Sequence, residues 1–211
     1  MALKTDGTLW TWGSSSNGAC GNNTQGGKIL SPVQLPGTNW GNSVALNQYA
    51  GFAVKTNGTL WSWGQNNYGT LGQNNRTEYS SPVQIPGTTW SKVVGSSQAI
   101  MALKTDGTLW ALGNNEGGQL GVNSAHPAGH ASSPTQIPGT TWNNVIGAGS
   151  VSWLATKTDG TLWAWGNNSG GQFGQNDVTQ RSSPTQLPGS WNASDIGSAG
   201  QVFFVLKGIN T

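Results

Sequence analysis

Short apolar runs, broken by glycine, proline and amide residues, make up the chain, and within them apolar positions alternate with polar ones. The opening stretch MALKTDGTLWTWG shows the pattern. MALK and TLWTWG read as two strands, and Asp6-Gly7 between them reads as a tight turn. A two-residue type I′ turn needs positive φ at both central positions, which Asp, Asn and Gly tolerate best, so that turn is expected. The phrase spanning residues 4–10 returns at 55–61, 104–110 and 157–163, with Asn57 replacing the aspartate once. FFVLK, ending at Lys207, starts a fifth copy. No segment keeps an apolar period of about 3.6 residues over three turns, so no helix is expected.

Other landmarks keep the same step of about fifty residues. Ser-Pro recurs at Pro32, Pro82, Pro134 and Pro184, and Pro-Gly recurs at Gly37, Gly87, Gly139 and Gly189. A tryptophan follows each, at Trp40, Trp90, Trp142 and Trp191. In the third unit the strand candidates are VVGSS (93–97), IMALKT (100–105), TLWALG (108–113) and SPTQIPG (133–139). Four short strands per unit at this period indicate a propeller blade, so the fold class is an all-β propeller in one domain, 1–211. The repeats fall at approximately 1–50, 51–99, 100–152 and 153–202, with a partial fifth at 203–211.

The run ALKTDGTLWxWG, then NNxGGQLG, then SSPxQIPG, then WxxV, resembles the repeat of the regulator of chromosome condensation family. It is most similar to the bacterial and phage RCC1-like version. NNEGGQLG (114–121) and NNSGGQFG (167–174) carry the family's Asn-x-x-Gly-Gln-Leu-Gly element most cleanly, whereas SSSNGACG (14–21) has drifted. The resemblance implies a ring, commonly of seven blades, and a Gly-x-x-His before the inner strand. Here no histidine stands in the matching slots around Gly51, Met101 and Phe203, and there are four repeats. MALK and FFVLK supply the same strand of a blade, so one copy is surplus in a ring closed by one chain. A four-bladed ring with a displaced end, a partial propeller completed by another chain, and a piece of a longer array all remain open.

Composition narrows the function. Charged residues form 8% of the chain, against roughly 25% in an average domain, yet twelve tryptophans exclude a disordered composition. Net charge is +2, and the nine Lys and Arg residues are dispersed. Nucleic-acid binding needs clustered cations, so no nucleic-acid partner is expected. The single cysteine, Cys20, excludes an internal disulfide and a Cys-based zinc site. No apolar stretch approaches the ~20 residues of a membrane span, and no signal peptide is visible.

Catalysis has little support. Asp6, Asp106 and Asp159 occupy turns, and Glu78, Glu116, Asp177 and Asp195 are scattered over different repeats. There is no paired-carboxylate motif, nucleophile elbow or phosphate loop, so neither an enzyme nor a cofactor is expected. The pairs Trp10 with Trp12, Trp61 with Trp63, and Trp163 with Trp165 share strand faces and read as packing between blades. Trp153 breaks the repeat and reads as an exposed binding anchor. Lys4, Lys55, Lys104, Lys157 and Lys207 fall on one rim, beside turn aspartates that largely neutralise it, and read as solvated turn residues rather than an anion site. His126 and His130 stand four apart, but Pro127 and Gly129 place them on a loop with no further ligand nearby in sequence.

The loops after each Trp-Gly or Leu-Gly differ while the frame repeats, as expected where a rigid scaffold presents binding loops. Tyr68, Arg76, Glu78, Tyr79, His126, His130, Asp177 and Arg181 are the contact candidates there, with Trp153. The expected function is a non-enzymatic scaffold binding a protein or surface glycan in an extracellular, cell-surface or virion setting. A second expectation is a structural component that self-associates through its terminal strands into a ring or fibre. The family's nucleotide exchange and chromatin binding are implied only by the resemblance, and the missing histidines and basic patch oppose them.

Overall fold

The computed structural model describes residues 1–123, 129–148, 151–189, 191–200 and 202–207. Among them are seventeen strands, one 3₁₀ turn (Ser16–Gly18) and no α-helix. The first sheet joins β1 (Ala2–Leu3), β2 (Leu9–Ser14) and β3 (Lys28–Gln34). The second contains β4 (Trp40–Leu46), β5 (Ala50–Lys55), β6 (Leu60–Gly64) and β7 (Tyr79–Ile85). The third contains β8 (Trp90–Gly95), β9 (Ala99–Lys104), β10 (Leu109–Gly113) and β11 (Ala131–Gln136). The fourth contains β12 (Trp142–Ala148), β13 (Ser152–Lys157), β14 (Leu162–Gly166) and β15 (Arg181–Leu187). The last pairs β16 (Trp191–Ala199) with β17 (Val202–Lys207). Every pairing is antiparallel, and each sheet is a meander of neighbours in sequence.

β4 packs on β8, β8 on β12 and β12 on β16, so the first strand of each blade lies nearest the common axis. The sheets are therefore blades, as the fifty-residue period predicts. Among the described residues the first blade comprises its outer three strands and the last its inner two.

The expected type I′ turn does not form. At residues 4–8 the amide of Gly7 donates to the carbonyl of Lys4 and the amide of Lys4 donates to the carbonyl of Thr8. Gly7 has φ +78°, whereas Asp6 does not enter the positive region. The connection is a type I turn closed by a glycine bulge, which needs only one left-handed residue. Asp6 is thereby free to use its carboxylate. Its Oδ1 accepts from Thr8 N at 2.9 Å and Thr8 Oγ1 at 2.6 Å, and Thr8 Oγ1 accepts from Trp10 Nε1 at 2.9 Å. The same relay runs through Asn57, Thr59 and Trp61, through Asp106, Thr108 and Trp110, and through Asp159, Thr161 and Trp163.

Between blades the cores are apolar and built in one way. Leu9 and Leu35 of the first blade meet Trp40, Ala53 and Trp63 of the second. Phe52, Leu60, Leu71 and Ile85 meet Trp90, Ile100 and Leu112. Met101, Leu109, Leu120 and Ile137 meet Trp142, Trp153 and Trp165. Trp40 stands edge-on to Trp61 and Trp63, with ring centroids 6.3 and 6.2 Å apart, a favoured aromatic geometry. Trp63 Nε1 donates to the Ala19 carbonyl of the preceding blade at 3.1 Å, and Trp165 Nε1 to that of Gln119 at 3.1 Å. Gly21 and Gly121 lie directly under these rings, where a Cβ would stand 2.7 and 2.8 Å from the indole. The packing reading of the paired tryptophans holds for Trp63 and Trp165.

Trp153 does not serve as the exposed anchor expected from the sequence: it is fully buried. It sits inside β13 with its ring over Gly147, filling the joint between the third and fourth blades. Strand alternation turns that position toward the neighbouring blade, where Ile100 occupies the equivalent place in the third.

Replacing Trp165 by Ala removes a fully buried ring and a carbonyl's partner, and should lower the unfolding free energy by about 3–5 kcal/mol. Urea titration followed by circular dichroism measures the loss.

Candidate functional site

The blades present two rims. One carries the repeated K-T-D/N-G turns; the other carries the loops after β2, β6, β10 and β14 together with the tight β4–β5 and β8–β9 turns.

On the turn rim the lysines are not simply solvated. The ammonium of Lys4 lies 4.0 Å from the Trp10 ring centroid, and those of Lys55, Lys104 and Lys157 lie 4.2, 4.5 and 4.4 Å from Trp61, Trp110 and Trp163. Burial lowers the pKa of Lys55. The hydrogen bonds from Thr8 pull the carboxyl of Asp6 below the ordinary aspartate value, with Lys4 adding to the effect, and Asp106 and Asp159 are held down in the same way. Each turn so holds an ammonium against an indole with a carboxylate or amide beside it. A cleft of about 730 Å³ on this rim runs past Asn42, Lys55, Asn57, Trp90 and Lys92. Lys92 Nζ donates to Asn144 Oδ1, and burial lowers its pKa. Both cations of this cleft are thus already committed to the frame.

The opposite rim is built on buried asparagines. The Oδ1 atoms of Asn66, Asn115 and Asn168 accept from the amides of Leu71, Leu120 and Phe173 at 2.9, 3.0 and 2.9 Å. Asn66 Nδ2 also donates to the carbonyls of Asn75 and Thr77, tying both ends of its loop together. The Asn two residues after the strand-ending glycine (Gly64, Gly113 or Gly166) is therefore the internal staple of these three loops, while the residues around it are free to differ.

Between the loop after β6 and the neighbouring β4–β5 and β8–β9 turns lies a cleft of about 220 Å³. It is bounded by Gln48 and Tyr49 on the β4–β5 turn, Asn67 and Tyr68 on the loop after β6, and Gln98 on the β8–β9 turn. No charged side chain is among its lining residues. Gln48 Nε2 donates to the Tyr49 hydroxyl at 2.9 Å, and Asn114 Nδ2 donates to Gln98 Oε1 at 2.7 Å. Tyr68 stands edge-on to His130 of the next blade at 4.9 Å.

The other sequence candidates disperse. Tyr79 packs against the joint of the second and third blades, and its hydroxyl accepts from Asn75 Nδ2 at 3.1 Å. Asp177 and Arg181 pair at 2.8 Å in the equivalent loop of the fourth blade, and Asp177 also accepts from Thr179 N, which with Arg181 lowers its pKa. Arg76 is exposed and Glu78 half-buried in the loop after β6. His126 lies outside the described residues. Sequence reasoning missed Tyr49, Asn67 and Gln98 as companions of Tyr68. They come from separate turns and neighbouring blades, so no local spacing marks them.

Antiparallel meanders radiating from a common axis and joined by one repeated apolar contact define a β-propeller made of like blades. The family model described as "Regulator of chromosome condensation (RCC1) repeat" matches residues 57–103, 106–150 and 159–204, and a second model of the same description matches 42–70. The chain belongs to the RCC1 repeat family. Human WBSCR16 is a structural neighbour at TM-score 0.80 and 20% identity, covering 97% of this chain and 55% of that one. Prp20p from Saccharomyces cerevisiae, studied with its binding to Gsp1p and histones, aligns at TM-score 0.80 and 19% identity over 99% of this chain and 54% of that one. Yeast RCC1 (Prp20) bound to Kap60 aligns at TM-score 0.76 and 20% identity over 93% and 49%. The chain spans about half the length of each of these structural neighbours.

The turn carboxylates make acid stability testable. Their pKa values are lower folded than unfolded, so their contribution is present above the unfolded aspartate value of about 3.9 and is lost as pH falls through the lowered values. The triple variant Asp6→Asn/Asp106→Asn/Asp159→Asn should fold, since Asn57 already fills the role, and should lose less stability below pH ~4. Urea midpoints measured across pH check this; unchanged acid sensitivity would exclude these groups.

Proposed function

We propose that the chain is a non-enzymatic propeller scaffold whose loop rim binds an uncharged, hydroxyl-rich ligand, a surface glycan, in the cleft between Tyr49 and Tyr68. The setting is extracellular, at a cell surface or on a virion. The observation carrying this reading is the cleft's chemistry. Amide side chains offer donors and acceptors side by side, and tyrosines offer a flat apolar face with a polar edge, the pairing a sugar ring requires. Protein recognition by the same rim is the second reading within the scaffold class, favoured by the exposed Arg76 on the adjoining loop and by the protein partners of yeast Prp20. Nucleotide exchange with chromatin binding finds less support, because the rim lysines lie over indoles rather than forming a free basic field.

An array of defined oligosaccharides probed with the 211-residue chain tests the glycan reading. Binding should appear, and Tyr49→Ala or Tyr68→Ala should weaken it at least about tenfold without changing the melting temperature. No binding, or binding indifferent to both substitutions, removes the proposal.

A further inference from the structure

The cleft on the loop rim lies between the second and third blades, each of four strands. An amide side chain in such a cleft can usually turn either end to a ligand, but two of those lining this one cannot. Asn47, on the β4–β5 turn, accepts from the amides of Tyr49 and Ala50 at 3.1 and 2.7 Å through its Oδ1. A backbone N–H only donates, so the oxygen is the end held in the turn, and Nδ2 is what remains for a ligand. Gln98, on the β8–β9 turn, is fixed through one intermediary. The amide of Glu116 donates to Asn114 Oδ1 at 2.7 Å, so the other end of this buried asparagine, Nδ2, donates to Gln98 Oε1 at 2.7 Å. Gln98 is therefore also held by its oxygen, and it offers Nε2. Among the described residues neither nitrogen has a protein partner.

Two donors whose own oxygens are spent select a ligand atom that accepts and carries no proton. A carbonyl oxygen has two lone pairs and no hydrogen, whereas a sugar hydroxyl must also place its proton and an ammonium group only donates. A carboxylate accepts as well, but the charge here opposes it. No cation lines the cleft, and the Glu116 carboxylate lies 3.5 Å from Asn114 Nδ2, one hydrogen bond behind Gln98. Tyr68, half-buried in the same wall, supplies an apolar ring face against which a methyl group can rest. The amides of Gln65 and Asn67 have no side-chain partner among the described residues, so either end can turn to the hydroxyls of a sugar ring.

We infer that the sugar this cleft selects carries a neutral acetamido group, as in an N-acetylhexosamine, whose carbonyl oxygen accepts from Asn47 Nδ2 and Gln98 Nε2. This rests on the glycan reading above and names the group recognised. Asn114 is a positioning residue: it touches no ligand but sets which end of Gln98 faces one. The same carbonyl chemistry turns away the plain hexose, which offers a hydroxyl at that carbon, and the amino sugar, which offers an ammonium group.

The oligosaccharide array, read in pairs that differ only in an acetamido or a hydroxyl group at one carbon, tests this. NMR titration with trimers of N-acetylglucosamine, glucose and glucosamine supplies affinities. The acetamido member of each bound pair should bind at least about tenfold more tightly than its partner. Asn47→Asp keeps the oxygen that holds the turn, and Gln98→Glu keeps the one that meets Asn114, so both variants should melt as the parent does. Each exchanges a donor for an acceptor and should weaken the acetamido sugar at least about tenfold. At mildly acid pH Asn47→Asp should also bind the glucosamine trimer more tightly than the parent, a gain that mere damage to the cleft would not produce. Sugar binding without preference for the acetamido group, or a preference that both substitutions leave intact, overturns this inference and leaves the glycan reading standing. No binding of any sugar overturns both.

Discussion

A four-stranded antiparallel sheet with apolar residues on both faces and no helix to cover them is not stable by itself. It must be sandwiched, and among the described residues the cover is another sheet of the same kind. Phe52, Leu60 and Ile85 leave the second blade on one side while Trp40 and Trp63 leave it on the other, so each blade is half of two cores. Burying an indole removes about 150–250 Å² from water, so the tryptophan-bearing face contributes most of the stabilisation at each joint. The glycine beneath Trp63 or Trp165 is the other half of that contact, because the ring can approach the backbone only where there is no Cβ.

The turn phrase supports the same contact from the side. Asp6, Thr8 and Trp10 pass one chain of hydrogen bonds from carboxylate to indole, and Lys4 closes over the ring. This orients the outer indole of the third strand, against which the tryptophan of the first strand stands edge-on in the second, third and fourth blades. Residues that look like a charged rim are thus consumed by the frame. That leaves the opposite rim, with its loops stapled by Asn66, Asn115 and Asn168, as the surface on which side chains can vary without cost to the blade.

The same requirement explains the ends. Trp12 and Phe204 have the identity of core residues and the exposure of surface ones. Nothing in their own strands distinguishes them from Trp63 or Phe52; the difference lies in whether a neighbouring sheet is present.

Everything carried within one repeat, or by its period, is legible in the chain alone: the strands, the blade length, the pairing of tryptophans on a face, and the resemblance that the family match bears out. These follow from interactions between residues near in sequence, or from a pattern repeated often enough to imply stacking. The turn type is not legible in that way, because Asp-Gly suits two hairpin geometries and the carboxylate's bonds to threonine select the bulged one. Nor is the place of Trp153, because its burial depends on the blade across the joint, some fifty residues away, and not on its local neighbours. The gathering of Tyr49, Tyr68, Gln98 and His130 likewise belongs to the folded molecule, since these side chains lie on separate turns that meet when the blades stack.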